Sequence, residues 1–401
     1  MKRGIFVQRL AIRTKYIPYL FLILFAVGMG ILNSYIFMLL VISTPLLSKD
    51  KRLILNSEFC VLLLCFLIFY ALYNTYYEQG IVLYTIITVC IGPIAGFCLG
   101  QLLVTSEKSI QEIICICCIG LLLHGVLNLG HAPSATIWYD QNIPDFWTGE
   151  KVSATLNGAY FTGAIVLCCF FYNRRKFKSR MLSIALIGIM LWSSLKTAER
   201  TLIINFLLSI IIFVYSMIFL GEKRKERLVK ALKYTGIICA VILVLVILFL
   251  NDFMGIQTAF FKTSLGSRLN MLDTIMQDGR NEAVGAVLKA LWTHPMGGFK
   301  NTLFYAHNLI VDAGRMCGVI PMFLLLIYIV LILMKVFRVC KNNNISLESR
   351  MLILIFYFSY LVNFMVEPVL EGMPMIFVTF CIVNGAVAKL NNLVMLNGEI
   401  G

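Results

Sequence analysis

The residues able to do chemistry in this 401-residue chain are few, and most of them lie late in it. Gly279-Arg280-Asn281-Glu282 opens an amphipathic helix in which Val284, Val287, Leu288 and Leu291 share one apolar stripe. His294-Pro295 stops that helix, Gly297-Gly298 makes a turn, and His307-Asn308 starts the next apolar run. A loop of this shape dips toward a membrane and returns, so Arg280 and His307 can meet at one lipid-facing cleft. Arg200, within Ala198-Glu199-Arg200-Thr201, stands at an earlier helix start. Guanidinium keeps its charge and grips anionic oxygens through two N–H bonds at once. Imidazole exchanges a proton near neutral pH. The pair suits proton transfer beside an anionic group.

The elements that must position these residues are set by composition. Hydrophobic residues make up 60% of the chain and charged residues only 13%, against about 25% charged in a soluble domain. Mean hydropathy is +0.88, and the apolar residues come in runs near the length of a membrane-spanning helix. These values set aside soluble enzymes, nucleic-acid-binding domains and disulfide-rich secreted scaffolds. Continuous apolar runs rather than period-two alternation exclude an outer-membrane barrel. The net charge of +14 therefore speaks for membrane orientation, not for nucleic acid. Eleven of the 13 cysteines lie inside apolar runs and the other two, Cys317 and Cys340, at the ends of one. None has a metal or disulfide spacing, so they read as packing residues.

The expected architecture is an all-α polytopic integral membrane protein of about twelve transmembrane helices in one membrane domain, residues 1–401. The basic start (Lys2, Arg3, Arg9, Arg13, Lys15) leads into a first anchor. Two spans share Ile17–Leu47 as a hairpin broken around Gly28–Gly30. The others run Cys60–Leu72, Ile81–Val104, Ile110–Leu127, Thr155–Tyr172, Met181–Leu195, Thr201–Leu220, Tyr234–Leu250, Ala306–Val336, Met351–Met365 and Met375–Val387. With the N-terminus in the cytoplasm this count puts 25 of the 34 basic residues on the cytoplasmic side, as the positive-inside rule requires. The two faces then carry +17 and −3. Both termini are expected in the cytoplasm, and the polar tail 391–401 is expected to be disordered. The larger loops are external: Gly130–Ala154, and one large loop over 251–305.

Cytoplasmic loops are short and basic, with no phosphate-cradling glycine loop and no paired aspartates to hold a metal–nucleotide complex. Neither ATP nor a nucleotide sugar has a recognisable place there. The run from Gly279 to Val330 resembles the signature of the O-antigen ligase and Wzy-type repeat-unit polymerase superfamily. That signature has an arginine opening a loop helix, a proline-glycine turn, and His-Asn leading a membrane helix with a glycine downstream. Ala198-Glu199-Arg200-Thr201 resembles its Ser-Arg-Thr element, although Glu199 replaces the usual small residue, and Pro295-Met296-Gly297-Gly298-Phe299 is shorter than the common Gly-x-Gly turn. The motifs cover about 55 residues; the rest matches in topology.

The resemblance implies a glycosyltransferase-C-like membrane enzyme in the bacterial cytoplasmic (inner) membrane. It would polymerise undecaprenyl-diphosphate-linked oligosaccharide repeat units into surface polysaccharide at the external face. Without nucleotide, cofactor or metal, Arg200 and Arg280 would neutralise the diphosphate leaving group. His307 would be the base for the acceptor hydroxyl in an inverting displacement, and Asn308 would orient the loop or the sugar. Arg268, at an Arg-x10-Gly spacing from Gly279, and Glu367 are further candidates for substrate contact. The implied partners are the lipid-linked glycan, membrane lipid and other polysaccharide-export proteins, with no nucleic acid. A ligase transferring finished glycan to a separate acceptor shares fold and site. A lipid-linked oligosaccharide flippase is the reading from another class, but the two halves are unrelated and the spans nearly free of mid-membrane charge.

Each candidate has a plain structural alternative. Arg200 could snorkel at the membrane surface, Arg280 could be a solvated loop charge, and His307 a helix-start residue with no proton to move. Glu367 and Glu371 lie at an external helix end, where acids are ordinarily solvated. With 28 glycines the Arg268 spacing arises readily by chance. His294 precedes a helix-stopping proline, and His124 and His131 mark the end of a span. Trp138, Tyr139 and Trp147 suit either an interfacial belt or a sugar-stacking platform.

Overall fold

The computed structural model describes residues 16–28, 33–48, 51–77, 86–131, 142–149, 151–174, 176–220, 246–270 and 280–398, with isolated positions between 226 and 244. Among these, seven helices are long and apolar enough to cross a membrane, and three further apolar helices are shorter. The protein is an all-α membrane protein. Most of the span expected over Tyr234–Leu250 lies outside the described residues. The chain forms two compact units, 1–124 with 279–345 and 360–401, and 125–278 with 346–359.

The first unit contains the hairpin α1 (Ile17–Val27) and α2 (Asn33–Leu47), then α3 (Ser57–Tyr76). The Asn56 side chain caps α3 by accepting from Phe59 N–H at 3.0 Å. A π-helical turn, Ile86–Ile91, leads into α4 (Gly92–Leu103), which lies along the last helix, α16 (Pro374–Gly398). Glycine makes that pairing possible. A Cβ on Gly100 would fall on the Ile382 carbonyl, and one on Gly385 on the Phe97 carbonyl. Gly92, Gly96 and Gly100 recur every fourth residue, the small-residue spacing that lets membrane helices approach backbone to backbone. The stretch Asn391–Gly398, expected within a disordered tail, continues α16 as helix. No proline or glycine precedes Gly398 in it, and its apolar residues carry the pattern on.

The two ends of α3 carry different chemistry. At its start Glu58 forms a buried ion pair with Lys335 of α13 (Val319–Lys341) at 2.6 Å. The same end holds Gln101, which exchanges hydrogen bonds with the backbone of Ile54, and Lys389, which donates to the Arg52 carbonyl at 3.1 Å. At its far end, about 28 Å along the axis at 1.5 Å per residue, Tyr73 and Tyr77 meet the loop before His307.

Ala306–Val336 is not one helix. Gly318, at φ +86°, divides it into α12 (Leu309–Cys317) and α13. The turn after Pro295 explains the break: Gly297 and Gly318 approach so closely that a Cβ on either would strike the other's neighbouring backbone. Val319 N–H donates to the Pro295 carbonyl at 2.8 Å, and Phe299 N–H to the Arg315 carbonyl at 2.9 Å.

The second unit is built on α6 (Ala154–Asn173), α7 (Phe177–Thr197) and α8 (Arg200–Phe219). A short hairpin, β1 (Asn142–Pro144) paired antiparallel with β2 (Lys151–Ser153), precedes α6. Within the loop expected over 251–305, short helices α9 (Ile256–Phe261) and α10 (Ser264–Asn270) belong to this unit, and α10 packs on α7. The helix α11 (Arg280–Thr293) from the same loop belongs to the first unit. The helices α5 (Glu107–His131) and α14 (Leu347–Phe364) contribute to both units. Asn205 of α8 donates to the Ser359 carbonyl of α14 at 2.9 Å, joining two apolar helices by polar contact.

Two outcomes follow from this packing. Gly100→Leu should prevent accumulation of monodisperse protein after detergent extraction, whereas Gly188→Leu, where a Cβ meets nothing within 4 Å, should extract normally. Lys335→Met should destabilise the protein by about 3–5 kcal/mol by leaving Glu58 buried and unpaired. Adding Glu58→Leu should restore most of that loss, read from thermal unfolding in detergent.

Candidate functional site

Asn308 is the N-cap of α12. Its Oδ1 accepts from Ile310 N–H at 3.1 Å and Val311 N–H at 3.2 Å, filling two of the helix's free amides. The expected start of the helix after His307 is therefore where the structure puts it. His307 itself has φ +53°, a left-handed backbone costly for a residue with a β-carbon. Asp312, one turn into α12, holds it there. Its Oδ1 accepts from Ala306 N–H at 2.7 Å and its Oδ2 from Asn308 N–H at 3.1 Å, so one carboxylate holds the amides on both sides of His307. The His307 ring is half-buried and meets Tyr305 edge-on at 4.9 Å.

Asp312 is itself held by Arg315. This arginine is 1% exposed, and its guanidinium is met on every side. Nε donates to Asp312 at 3.3 Å, one terminal nitrogen to the carbonyls of Lys300 and Leu303 at 2.9 and 2.8 Å, and the other to Glu371 Oε2 at 2.6 Å. Burial pushes the Asp312 carboxyl above its ordinary range, against the opposing pull of the Ala306 amide and the Arg315 charge. The network thus ties segment 300–308 to α12 and to the short helix α15 (Val369–Gly372).

Lys300 completes this end of the unit. Its Nζ lies 2.6 Å from the Tyr73 hydroxyl, 5.0 Å from the Tyr73 ring centre and 5.6 Å from that of Tyr77. Tyr77 accepts from Lys300 N–H at 3.1 Å and donates to the Met316 carbonyl at 3.3 Å. Burial lifts the Tyr77 hydroxyl to about 12, so it stays a neutral donor. These residues border a cavity of about 530 Å³ lined by Tyr73, Lys300, Phe304, Tyr305, Arg315 and Glu371, among others.

Of the residues singled out in the sequence, His307, Asn308, Glu367 and the helix opened by Arg280 belong to this unit. The Arg280 side chain lies outside the described residues. Its helix α11 packs Val287 and Leu291 against Ala306, the residue before His307. Leu288, expected on the same apolar stripe, is 47% exposed instead; a 100° step per residue turns it away from the face that Val287 and Leu291 share. Glu367 is not solvated as expected but 1% exposed. It follows the end of α14, two residues beyond Met365, whose carbonyl lies 3.5 Å from Asn308 Nδ2. Glu371 is also partly buried, because Arg315 draws it in.

Arg200 and Arg268 belong to the other unit. Arg200 is the half-buried first residue of α8, entered through a left-handed turn at Ala198 (φ +56°). Glu199, the departure from a small residue, is 1% exposed and fits because Gly158 faces it: a Cβ there would lie 2.5 Å from a carboxylate oxygen. Lys196 donates to the Leu129 carbonyl at 3.2 Å. Arg268 is on α10; its side chain lies outside the described residues. His124 is fully buried, with Nδ1 2.8 Å from the Val27 carbonyl, a helix-joining contact rather than an interfacial marker. Trp138 and Tyr139 lie outside the described residues.

Sequence reasoning passed over Asp312, Arg315, Lys300 and Tyr73. The signal available was the i, i+3 spacing of Asp312 and Arg315, and the i, i+4 spacing of Tyr73 and Tyr77. No protein-family model matches this chain, and no curated protein matches it in sequence.

Asp312→Ala should speed hydrogen exchange at the Ala306 and Asn308 amides by about ten- to hundredfold, the worth of a hydrogen bond to a charged group. Exchange mapped by mass spectrometry over 300–312 reads this out, and unchanged protection would remove Asp312 from the support of His307.

Proposed function

We propose that this protein is a membrane glycosyltransferase that polymerises undecaprenyl-diphosphate-linked oligosaccharide repeat units at the external face of a bacterial cytoplasmic membrane. The observation that carries the reading is the clamped His307. A histidine is held in a left-handed turn by one carboxylate gripping both flanking amides, between a helix opened by Arg280 and a helix capped by Asn308. Such pre-set geometry suits a base that must meet an acceptor hydroxyl in one orientation. It agrees with the motif resemblance of Gly279–Val330.

The topology of about twelve spans with cytoplasmic termini is part of the same proposal, and the residue grouping within the first unit supports it. Arg52, Glu58, Lys335 and Lys389, expected near the cytoplasmic face, gather at one end of α3. Lys300, Arg315 and Glu371, expected outside, gather at the other. An odd error in span number between them would put these groups at opposite ends.

In the reaction the acceptor hydroxyl oxygen attacks the anomeric carbon of the donor sugar, and His307 takes its proton. The carbon–oxygen bond to the diphosphate breaks with inversion, and undecaprenyl diphosphate leaves with the electron pair. Arg280, at the start of α11, and Arg200 would offset that charge, roles that rest on the motif resemblance.

Purified protein in nanodiscs, given lipid-diphosphate-linked repeat units without nucleotide or ATP, should yield a ladder of longer lipid-linked glycans. His307→Ala should lower the rate at least about a hundredfold, the lower end of general-base contributions, at unchanged expression. Transfer only to a separately added acceptor would replace the polymerase reading by the ligase one. A normal ladder from His307→Ala would overturn the assignment of the base.

A further inference from the structure

The cavity between the 300–305 loop and the start of α16 is not used by any step above, yet its lining is unusual for a structural void. Phe304 and Tyr305 are consecutive aromatic residues left 87% and 43% exposed on its border. Tyr73 gives a third ring from α3. Between them stands Lys300, a half-buried ammonium whose contacts are one phenol and two ring faces, with no carboxylate within 4 Å among the described residues. On the other side is Glu371, one-fifth exposed, with one oxygen held by Arg315 and the other without a hydrogen-bond partner among the described residues. Lys300 and Glu371 stand at separate points of this lining without meeting each other, and the partnerless Glu371 oxygen is buried, an acceptor for a ligand seated beside it.

We propose that this cavity is a saccharide-binding subsite that holds a sugar ring of the repeat unit, with the ring's C–H face on Tyr305 or Phe304 and its hydroxyls shared between Lys300 and Glu371. The chemistry fits no other ligand class as well. A diphosphate would need net positive charge, and here Glu371 and Asp312 offset Arg315 while Lys300 stands alone. A lipid chain would need an apolar lining, which three charged side chains, Lys300, Arg315 and Glu371, interrupt. A pyranose combines an apolar face, which packs on the electron-rich face of an aromatic ring, with a rim of hydroxyls that both donate and accept. A volume of about 530 Å³ lies in the ordinary range of small-ligand sites. The loop that carries the cavity's rings also carries His307, two residues beyond Tyr305, so a sugar held here is held next to the base. Arg315 is buried behind the site as a positioning residue, fixing Lys300 through its carbonyl and Glu371 through its carboxylate.

The identity of the sugar rests on the polymerase reading; the saccharide chemistry of the cavity does not. The probe is the free oligosaccharide released by mild acid from the host's lipid-linked repeat unit, titrated into full-length protein in nanodiscs. Binding is followed by saturation-transfer NMR and calorimetry. Binding is expected in wild type and in His307→Ala alike, and should weaken about tenfold or more in Lys300→Met and in Phe304→Ala, the loss of one strong contact being about 1.4 kcal/mol. Because Phe304 is almost fully exposed, its truncation leaves the fold intact and keeps the test open if Lys300→Met does not fold. Equal affinity in both variants, absence of binding in wild type, or displacement of the oligosaccharide by inorganic pyrophosphate would overturn the subsite. Binding with these variant effects but no product ladder would keep the subsite and remove the polymerase. A ladder with unchanged KM in both variants would do the reverse.

Discussion

A guanidinium taken out of water must find an acceptor for each of its N–H groups, and the neighbourhood of Arg315 is arranged around that requirement. Two carboxylates and two backbone carbonyls accept four of its five N–H groups, three of them from the neighbouring chain at Lys300, Leu303 and Asp312 and one from Glu371, 56 residues on. One of the carboxylates, Asp312, spends its remaining lone pairs on the amides flanking His307. The backbone strain at that histidine is thus offset by a charge that would otherwise be costly to bury. Remove the arginine, and the aspartate, the turn and the loop up to Lys300 lose the same support together.

The membrane adds a second constraint of the opposite kind. Where no water is available, helices gain little by hiding apolar surface, and they associate by close fit and a few polar contacts. The α4–α16 pair takes the first route through glycines, and the α8–α14 pair takes the second through Asn205, Ser209 and Ser359. The Glu58–Lys335 pair, buried between α3 and α13, adds a charge contact at the end remote from the cavity. The middle of the first unit is mostly apolar, crossed by the buried Asn384–Tyr328 hydrogen bond, and its buried ion pairs lie toward its two ends.

Much of this was legible in the sequence wherever one-dimensional pattern was enough. Apolar run length marked the helices, His307-Asn308 marked a helix start, and proline and paired glycines marked the end of α11 and its turn. What escaped depended on partners far away in the chain. Glu371 looks solvated until Arg315, 56 residues earlier, is known to reach it. Ala306–Val336 reads as one apolar segment, since only the approach of Gly297 demands a break at Gly318. Leu288 was placed on a stripe one position too wide, because periodicity gives the direction of a face but not its edge.

The close fit of α4 to α16 also sets an order of events during synthesis. Gly100 and Gly385 are 285 residues apart, so at about 5–20 residues per second the first helix waits roughly 15–60 s for its partner to be made. Through that interval the glycine face of α4 lies open in the bilayer, available to other small-residue helices or to quality-control proteases that sample exposed membrane segments. A ribosome that stops short of α16 leaves a chain that carries His307 and its clamp but cannot close the unit behind them. Closure of the first unit therefore waits on the synthesis of α16, long after α4 has entered the bilayer.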